Sequence, residues 1–179
     1  MKKIIAIVGM PGAGKSEASA FFTTKNMQVL RFGSVIDDGL KEEKLVQNAE
    51  SEKYYREKVR KELGMAGVAI KMMPKISAAI EEADVILDGL YSWEEYVYLK
   101  DVFPSLTLLC IYAQPSLRYQ RLAQRQYRAF SKEEARKRDR DEIEYLNKGG
   151  PIAMADYLVK NETSTEELHR QLEEFLENL

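Results

Sequence analysis

The chain has 179 residues, 45% of them hydrophobic and 31% charged, which suits one ordinary globular domain with a sizeable core. A net charge of −2 argues against a general binder of nucleic acid or membrane surfaces. Cys110 is the only cysteine and His169 the only histidine, which excludes an internal disulfide and weighs against histidine-based catalysis or metal clusters.

Strand and helix patterns alternate along the chain, the signature of a parallel sheet with helices on both faces. Residues 3–8 read as a strand, 14–25 as a helix and 28–32 as a second strand. Residues 35–44, 50–63 and 66–82 read as helices, with Gly64 ending the second and Pro74 kinking or breaking the third. A short buried strand over 84–87 ends at Asp88. Residues 93–102 read as a helix capped by Ser92, with Glu95 completing a capping box. Residues 106–112 form the next strand and hold Cys110 as buried filler. Residues 116–127 and 132–146 read as helices, 157–160 as a last strand and 165–176 as an amphipathic closing helix. No run is long enough for a membrane span, and the apolar run after Lys2-Lys3 is too short for a leader. A reducing, cytoplasmic setting is expected. One domain covers 1–179, with two excursions from the strand–helix rhythm. Residues 34–82 put three helices in one crossover, and residues 116–148 carry ten basic against six acidic residues.

The sharpest motif is Gly9-Met10-Pro11-Gly12-Ala13-Gly14-Lys15-Ser16, a G-x-x-x-x-G-K-S loop between strand and helix. Glycines let such a loop wrap phosphate oxygens closely, and the backbone N–H groups from Gly12 to Lys15 point at the anion. Lys15 is then expected at the β- and γ-phosphates and Ser16 at Mg²⁺, which makes a nucleoside triphosphate the expected ligand. Asp88, at the end of a buried strand, is expected on the Mg²⁺ side; a turn-forming Asp-Gly is the bland alternative. Arg118, Arg121, Arg125 and Arg128 fall on one helical side, where four like charges suggest a nearby anion, with Arg121 and Arg125 foremost. A solvated face balanced by Glu133, Glu134 or Asp139 would also account for them. Arg136, Arg138 and Arg140 are either phosphate ligands or partners of Asp139, Asp141 and Glu142. Arg56 and Arg60 could receive an acidic acceptor or pair with Glu52, Glu57 or Glu62. Asn161 is placed either at an adenine pocket or simply in a loop. Asn147-Lys148-Gly149-Gly150 begins like the guanine-reading N-K-x-D loop but lacks its Asp, which discounts guanine.

On these residues the chain resembles the P-loop nucleotide kinases, adenylate kinase and dephospho-CoA kinase among them. It is most similar to the small dephospho-CoA-kinase-like proteins of archaea. The P-loop, Ile86-Leu87-Asp88-Gly89, Arg121-Leu122-Ala123-Gln124-Arg125 and Ala153–Asn161 carry the likeness, which spans the whole chain. It implies a three-layer α/β fold with a five-stranded parallel sheet in order 2-3-1-4-5 and an arginine-rich lid over about 116–148. It also implies ATP and Mg²⁺, with transfer of the γ-phosphoryl to a nucleotide, nucleoside or dephospho-CoA-like small molecule. An ATPase, or a nucleotide-binding protein without turnover, is the alternative. The implied donor-side contacts are Gly9, Gly12, Ala13, Gly14, Lys15, Ser16, Glu17, Arg121 and Asn161. Lys15, Arg121 and Arg125 would be catalytic, and Ser34, Asp37, Arg56, Arg60, Asp88 and Tyr91 would meet the acceptor. The acceptor side departs from the relatives, which place arginines at Asp37 and Tyr91. Carboxylates at Asp37 and Asp38 would repel a phosphomonoester, so either Arg56 and Arg60 take over or the acceptor is an alcohol.

Overall fold

The computed structural model describes residues 2–126 and 129–179. Among them, five strands form one parallel sheet in the order β2-β3-β1-β4-β5. The strands are β1 (Ile4–Val8), β2 (Gln28–Arg31), β3 (Val85–Asp88), β4 (Thr107–Tyr112) and β5 (Tyr157–Lys160). The alternating strand–helix pattern required such a sheet, and the order is the one the resemblance implied.

A strand buried on both faces reads as a continuous apolar run, because successive side chains point to opposite layers. In β1, Ile4, Ala6 and Val8 enter one core with Phe32, Leu40, Val59, Met72 and Leu99. Ile5 and Ile7 enter the other with Phe22, Ile111, Leu168 and Leu172. The first layer is covered by α2 (Gly33–Glu42), α3 (Ala49–Leu63), α4 (Gly67–Glu82) and α5 (Trp93–Val102). The second is covered by α1 (Lys15–Thr24) and α9 (Thr165–Glu177). Cys110 is buried filler as expected, and burial pushes its thiol up to about 11. No single helix among the described residues is long and apolar enough to cross a membrane.

Three local expectations are corrected. Helix α4 runs unbroken through Pro74, since burial of Val68, Ala69, Met72, Ile76 and Ala79 outweighs one missing hydrogen bond. The helix predicted to reach residue 127 stops early, as α6 (Pro115–Ala123). Arg125 therefore lies beyond the helix, and Arg128 lies outside the described residues. A short helix α8 (Gly149–Ala153), with no counterpart in the sequence reading, follows α7 (Lys132–Glu144). The capping box of α5 forms as predicted: Glu95 N–H donates to Ser92 Oγ at 3.1 Å, and Ser92 N–H to Glu95 Oε2 at 3.3 Å.

Candidate active site

Strand β1 ends in the Gly9–Ser16 loop, which feeds α1. The loop lies too close to its surroundings for side chains at two positions. A Cβ on Gly9 would sit 2.3 Å from the Ile111 carbonyl oxygen. One on Gly14, whose φ is +103°, would sit 2.0 Å from Asn161 Nδ2. Lys15 Nζ folds over the loop, donating to the carbonyls of Gly9 (2.8 Å) and Met10 (3.3 Å). Burial, and next the charge of Lys148, lower its pKa from 10.5 to about 7.

A cavity of about 410 Å³ opens on the loop, bounded by Pro11, Gly12, Gly14, Lys15 and Ser16. Five cations line it (Lys15, Arg121, Arg125, Arg138 and Lys148) against one carboxylate, Glu142. Such a surplus of cations around a phosphate-loop cleft suits a polyphosphate. Glu142 is buried and shared: Arg138 Nε donates to it at 2.8 Å, and Lys148 pairs with it. Burial pushes the Glu142 carboxyl up, but Lys148 and Arg138 together hold it below its usual range.

A second cavity, about 890 Å³, adjoins the first. Arg31, Phe32, Gly33, Ile36, Asp37 and Gln47 line it beside Glu52, Lys53 and Arg56 of α3. Tyr91, Phe130 and Arg138 line both cavities, so the two meet at one wall. The expected repulsion of a phosphate by Asp37 and Asp38 is not what the structure shows. Asp37 is paired with Arg31 and accepts from Gln47 Nε2 at 2.8 Å. Asp38 faces away, paired with Lys75. Four cations (Arg31, Lys53, Arg56 and Arg138) stand against two carboxylates in this cavity.

The other sequence-predicted residues are distributed unevenly. Asp88 ends β3 beside Ile7 and Arg31, at the carboxyl edge, and its charge acts on Lys15 and Tyr91. Tyr91, which the sequence reading put at the acceptor, lines both cavities, and burial raises its phenol pKa. Arg121 lines the donor cavity while donating to the Asn161 carbonyl at 2.9 Å. Asn161 is buried and donates from Nδ2 to the Ala13 carbonyl at 2.9 Å, strapping the end of β5 to the loop. Glu17 meets His169 of α9 at 3.1 Å and lines neither cavity. Ser34 turns to α4, donating to Met72 Sδ at 3.9 Å. Arg60 lies behind the cavity wall, where its Nε and Nη2 are buried without partners.

The arginine run is also corrected. Arg118 is buried and lines neither of the two cavities. It forms a two-pronged pair with Asp139 of α7 at 2.8 and 2.6 Å and donates to the Pro11 carbonyl at 3.0 Å. The nearby anion that the run demanded is, for Arg118, the Asp139 carboxylate, one of the balancing partners the sequence reading had weighed. Lys148 was missed as a site residue, being weighed only as part of a guanine motif. The available signal was a lysine closing the basic segment just before Gly149-Gly150-Pro151.

Mg²⁺ keeps several waters and needs only one or two protein oxygens beside phosphate oxygens. The exposed Ser16 hydroxyl in the donor cavity and the Asp88 carboxylate at the sheet edge fit that demand. No group of three or more His, Cys, Asp or Glu side chains among the described residues could hold a metal on its own.

A family profile described as an AAA domain matches residues 5–147. A UPF0200 protein of Sulfurisphaera tokodaii is 33% identical over 181 residues, covering 99% of this chain and 97% of that protein. The chain belongs to the UPF0200 family. Solved structures share the fold of this chain. A shikimate kinase from Bacteroides thetaiotaomicron matches with TM-score 0.64 and 16% identity, covering 98% of each chain. A dephospho-CoA kinase from Campylobacter jejuni matches with TM-score 0.59 and 15% identity, over 99% of this chain and 97% of that one.

Proposed function

We propose that this UPF0200 protein is an ATP- and Mg²⁺-dependent phosphotransferase acting on a small anionic acceptor, a nucleotide or a dephospho-CoA-like molecule. The observation that carries this is the wall shared by the two cavities. A phosphate-loop cavity with a net surplus of four positive charges meets a larger, partly apolar cavity at Tyr91, Phe130 and Arg138. A phosphoryl group leaving the first would meet an acceptor oxygen in the second without crossing solvent.

Each residue then has a role in positioning and electrostatics, which is where phosphoryl transfer is catalysed. Backbone N–H groups of Gly12, Ala13, Gly14 and Lys15 hold the β-phosphate. Lys15 leaves the loop carbonyls for phosphate oxygens, while Arg121 and Arg125 offset charge on the transferring group. Ser16 and Asp88 would hold Mg²⁺, which when bound neutralises β- and γ-oxygens. Arg56 and Lys53 meet the acceptor's anionic end. Phe32, Ile36 and Val68 offer an apolar wall for its body, with Gln47 and the Asp37–Arg31 pair at the rim.

The test is an ATP-consumption screen over nucleoside monophosphates, nucleosides and dephospho-CoA, with a no-acceptor control. Consumption that depends on a phosphorylated acceptor is expected. Hydrolysis without acceptor as fast as the best transfer would make the protein an ATPase. ATP binding with no consumption across the panel would make it a nucleotide-binding protein.

A further inference from the structure

The Lys148 side chain pairs with Glu142, but that carboxylate already has a second cation. Lys148 is 1% exposed, and its ion partner Glu142 is already engaged by Arg138 Nε at 2.8 Å. One carboxylate needs one counter-charge, so Lys148 makes a buried surplus, and buried lysines are rare unless their charge is used. Its position suggests the use. The ammonium lies 4.9 Å from the centre of the Tyr91 ring, and Tyr91 lines both cavities. Lys148 itself lines the donor cavity, and its charge acts on Lys15.

Lys148 closes the arginine-rich segment at the point where the chain returns to the body of the domain. Lys148 N–H donates to the Glu142 carbonyl at 3.1 Å, immediately before α8. Helix α8 rests on α5 through Gly150, where a Cβ would come within 2.7 Å of the Trp93 ring. Asn147 Nδ2 donates to Glu94 Oε1, also on α5, at 2.9 Å. The backbone that carries Lys148 is thus tied to α5, while the ammonium reaches Glu142 and the Tyr91 ring.

We propose that Lys148 is a further catalytic residue, whose ammonium touches the transferring γ-phosphoryl at the junction of the two cavities. This rests on the phosphotransferase reading above. Lys15 and the loop amides hold the β side. Lys148 holds the far side, leaving Glu142 to Arg138 as the phosphoryl group arrives. Lys148 itself gives up no proton: a phosphate-oxygen acceptor has none to lose, and a hydroxyl acceptor releases its proton to water. The P–O bond to ADP breaks, the bond to the acceptor oxygen forms, and Lys148 stabilises charge on the equatorial oxygens throughout.

The test compares MgATP and MgADP binding by calorimetry in the wild type, in Lys148→Met combined with Glu142→Gln, and in Lys148→Arg. The double change removes both charges, so no lone buried carboxylate is left. It should weaken MgATP by about tenfold or more, the worth of one charge-assisted hydrogen bond, and leave MgADP within about twofold. Lys148→Arg should restore most of the difference. Equal weakening of both nucleotides, or of neither, overturns the proposal. A wild type that binds neither nucleotide overturns the phosphotransferase reading itself, so the two failures are distinct. If the double variant does not fold, the wild type suffices, with ¹³Cε-labelled lysine and Lys148→Arg for assignment. The Lys148 resonance should move with a non-hydrolysable ATP analogue and not with MgADP; a resonance unmoved by the analogue refutes the contact.

Discussion

Replacing Asp139 with Ala should unfasten α7 from the nucleotide loop. Arg118 is enclosed, with its side chain 5% exposed against 11% for Asp139. Its guanidinium makes four hydrogen bonds, two to Asp139 and one each to the Ala113 and Pro11 carbonyls at 3.0 Å. Tyr119 Oη adds a fifth link to the cluster, donating to Asp139 at 2.9 Å. Asp139→Ala removes three of these bonds and leaves a buried cation with only neutral acceptors. Charge-assisted hydrogen bonds are each worth about 1.5–3 kcal/mol, and breaking one side of a buried pair costs about 3–5 kcal/mol in total. The loss should appear as a lower urea midpoint with an unchanged slope. Arg118→Met with Asp139→Leu should recover most of it, because two matched apolar side chains leave no charge stranded. A loss under about 1 kcal/mol for Asp139→Ala, or a double variant no better than the single, would show that the pair is solvated and the lid is fastened elsewhere.

Lys15→Ala should abolish phosphotransfer, by about 10³-fold or more, while thermal unfolding shifts little; unchanged turnover would sink the assignment. Gly14→Ala should cost about 2–3 kcal/mol and weaken ATP binding, since the new Cβ displaces Asn161 from the Ala13 carbonyl in a left-handed backbone. A wild-type unfolding midpoint for that variant would refute the strap. Glu95 gives a pH dependence of known sign. Burial raises its carboxyl from 4.5 to about 7, against the pull of the Tyr91 N–H bond and the Arg60 charge. The folded state thus holds this proton more tightly than the unfolded chain. Its contribution is complete below about 4.5 and is lost as pH rises through 7, to about 3 kcal/mol at most. Glu95→Gln should flatten the difference in denaturant stability between pH 5 and pH 8, and an unaltered pH slope would refute the assignment.

The features written into the sequence were those that local chemistry sets. The nucleotide loop needs its glycines and Lys15 at fixed spacing, and the Ser92–Glu95 box needs only one turn of helix. The buried run of β1 declares a two-sided strand by composition alone. What escaped was pairing across distance. Asp139 was one of three carboxylates weighed against the arginine run, but as part of a solvated face; that it meets Arg118, 21 residues away, in a buried pair is set by how the two helices pack. Asp37 looked like a repulsive charge because its counter-charge Arg31, at the end of β2, and its donor Gln47, beyond α2, reach it only in the folded chain. Pro74 looked like a break because propensity carries no knowledge of the core that α4 covers. Lys148 was hidden for a related reason: its burial is set by how α8 lies on α5, and five residues of Gly-Gly-Pro-Ile-Ala carry little helical signal of their own.

The wall common to both cavities has a consequence for fidelity. In solution, the larger chamber holds water whenever it does not hold a ligand, and water is itself a competent receiver of a phosphoryl group. Only Tyr91, Phe130 and Arg138 stand between that water and the loop. If the proposed phosphotransferase function holds, the acceptor has a second duty beyond offering an oxygen: by filling the larger cavity it is also the stopper that keeps water from the phosphoryl group.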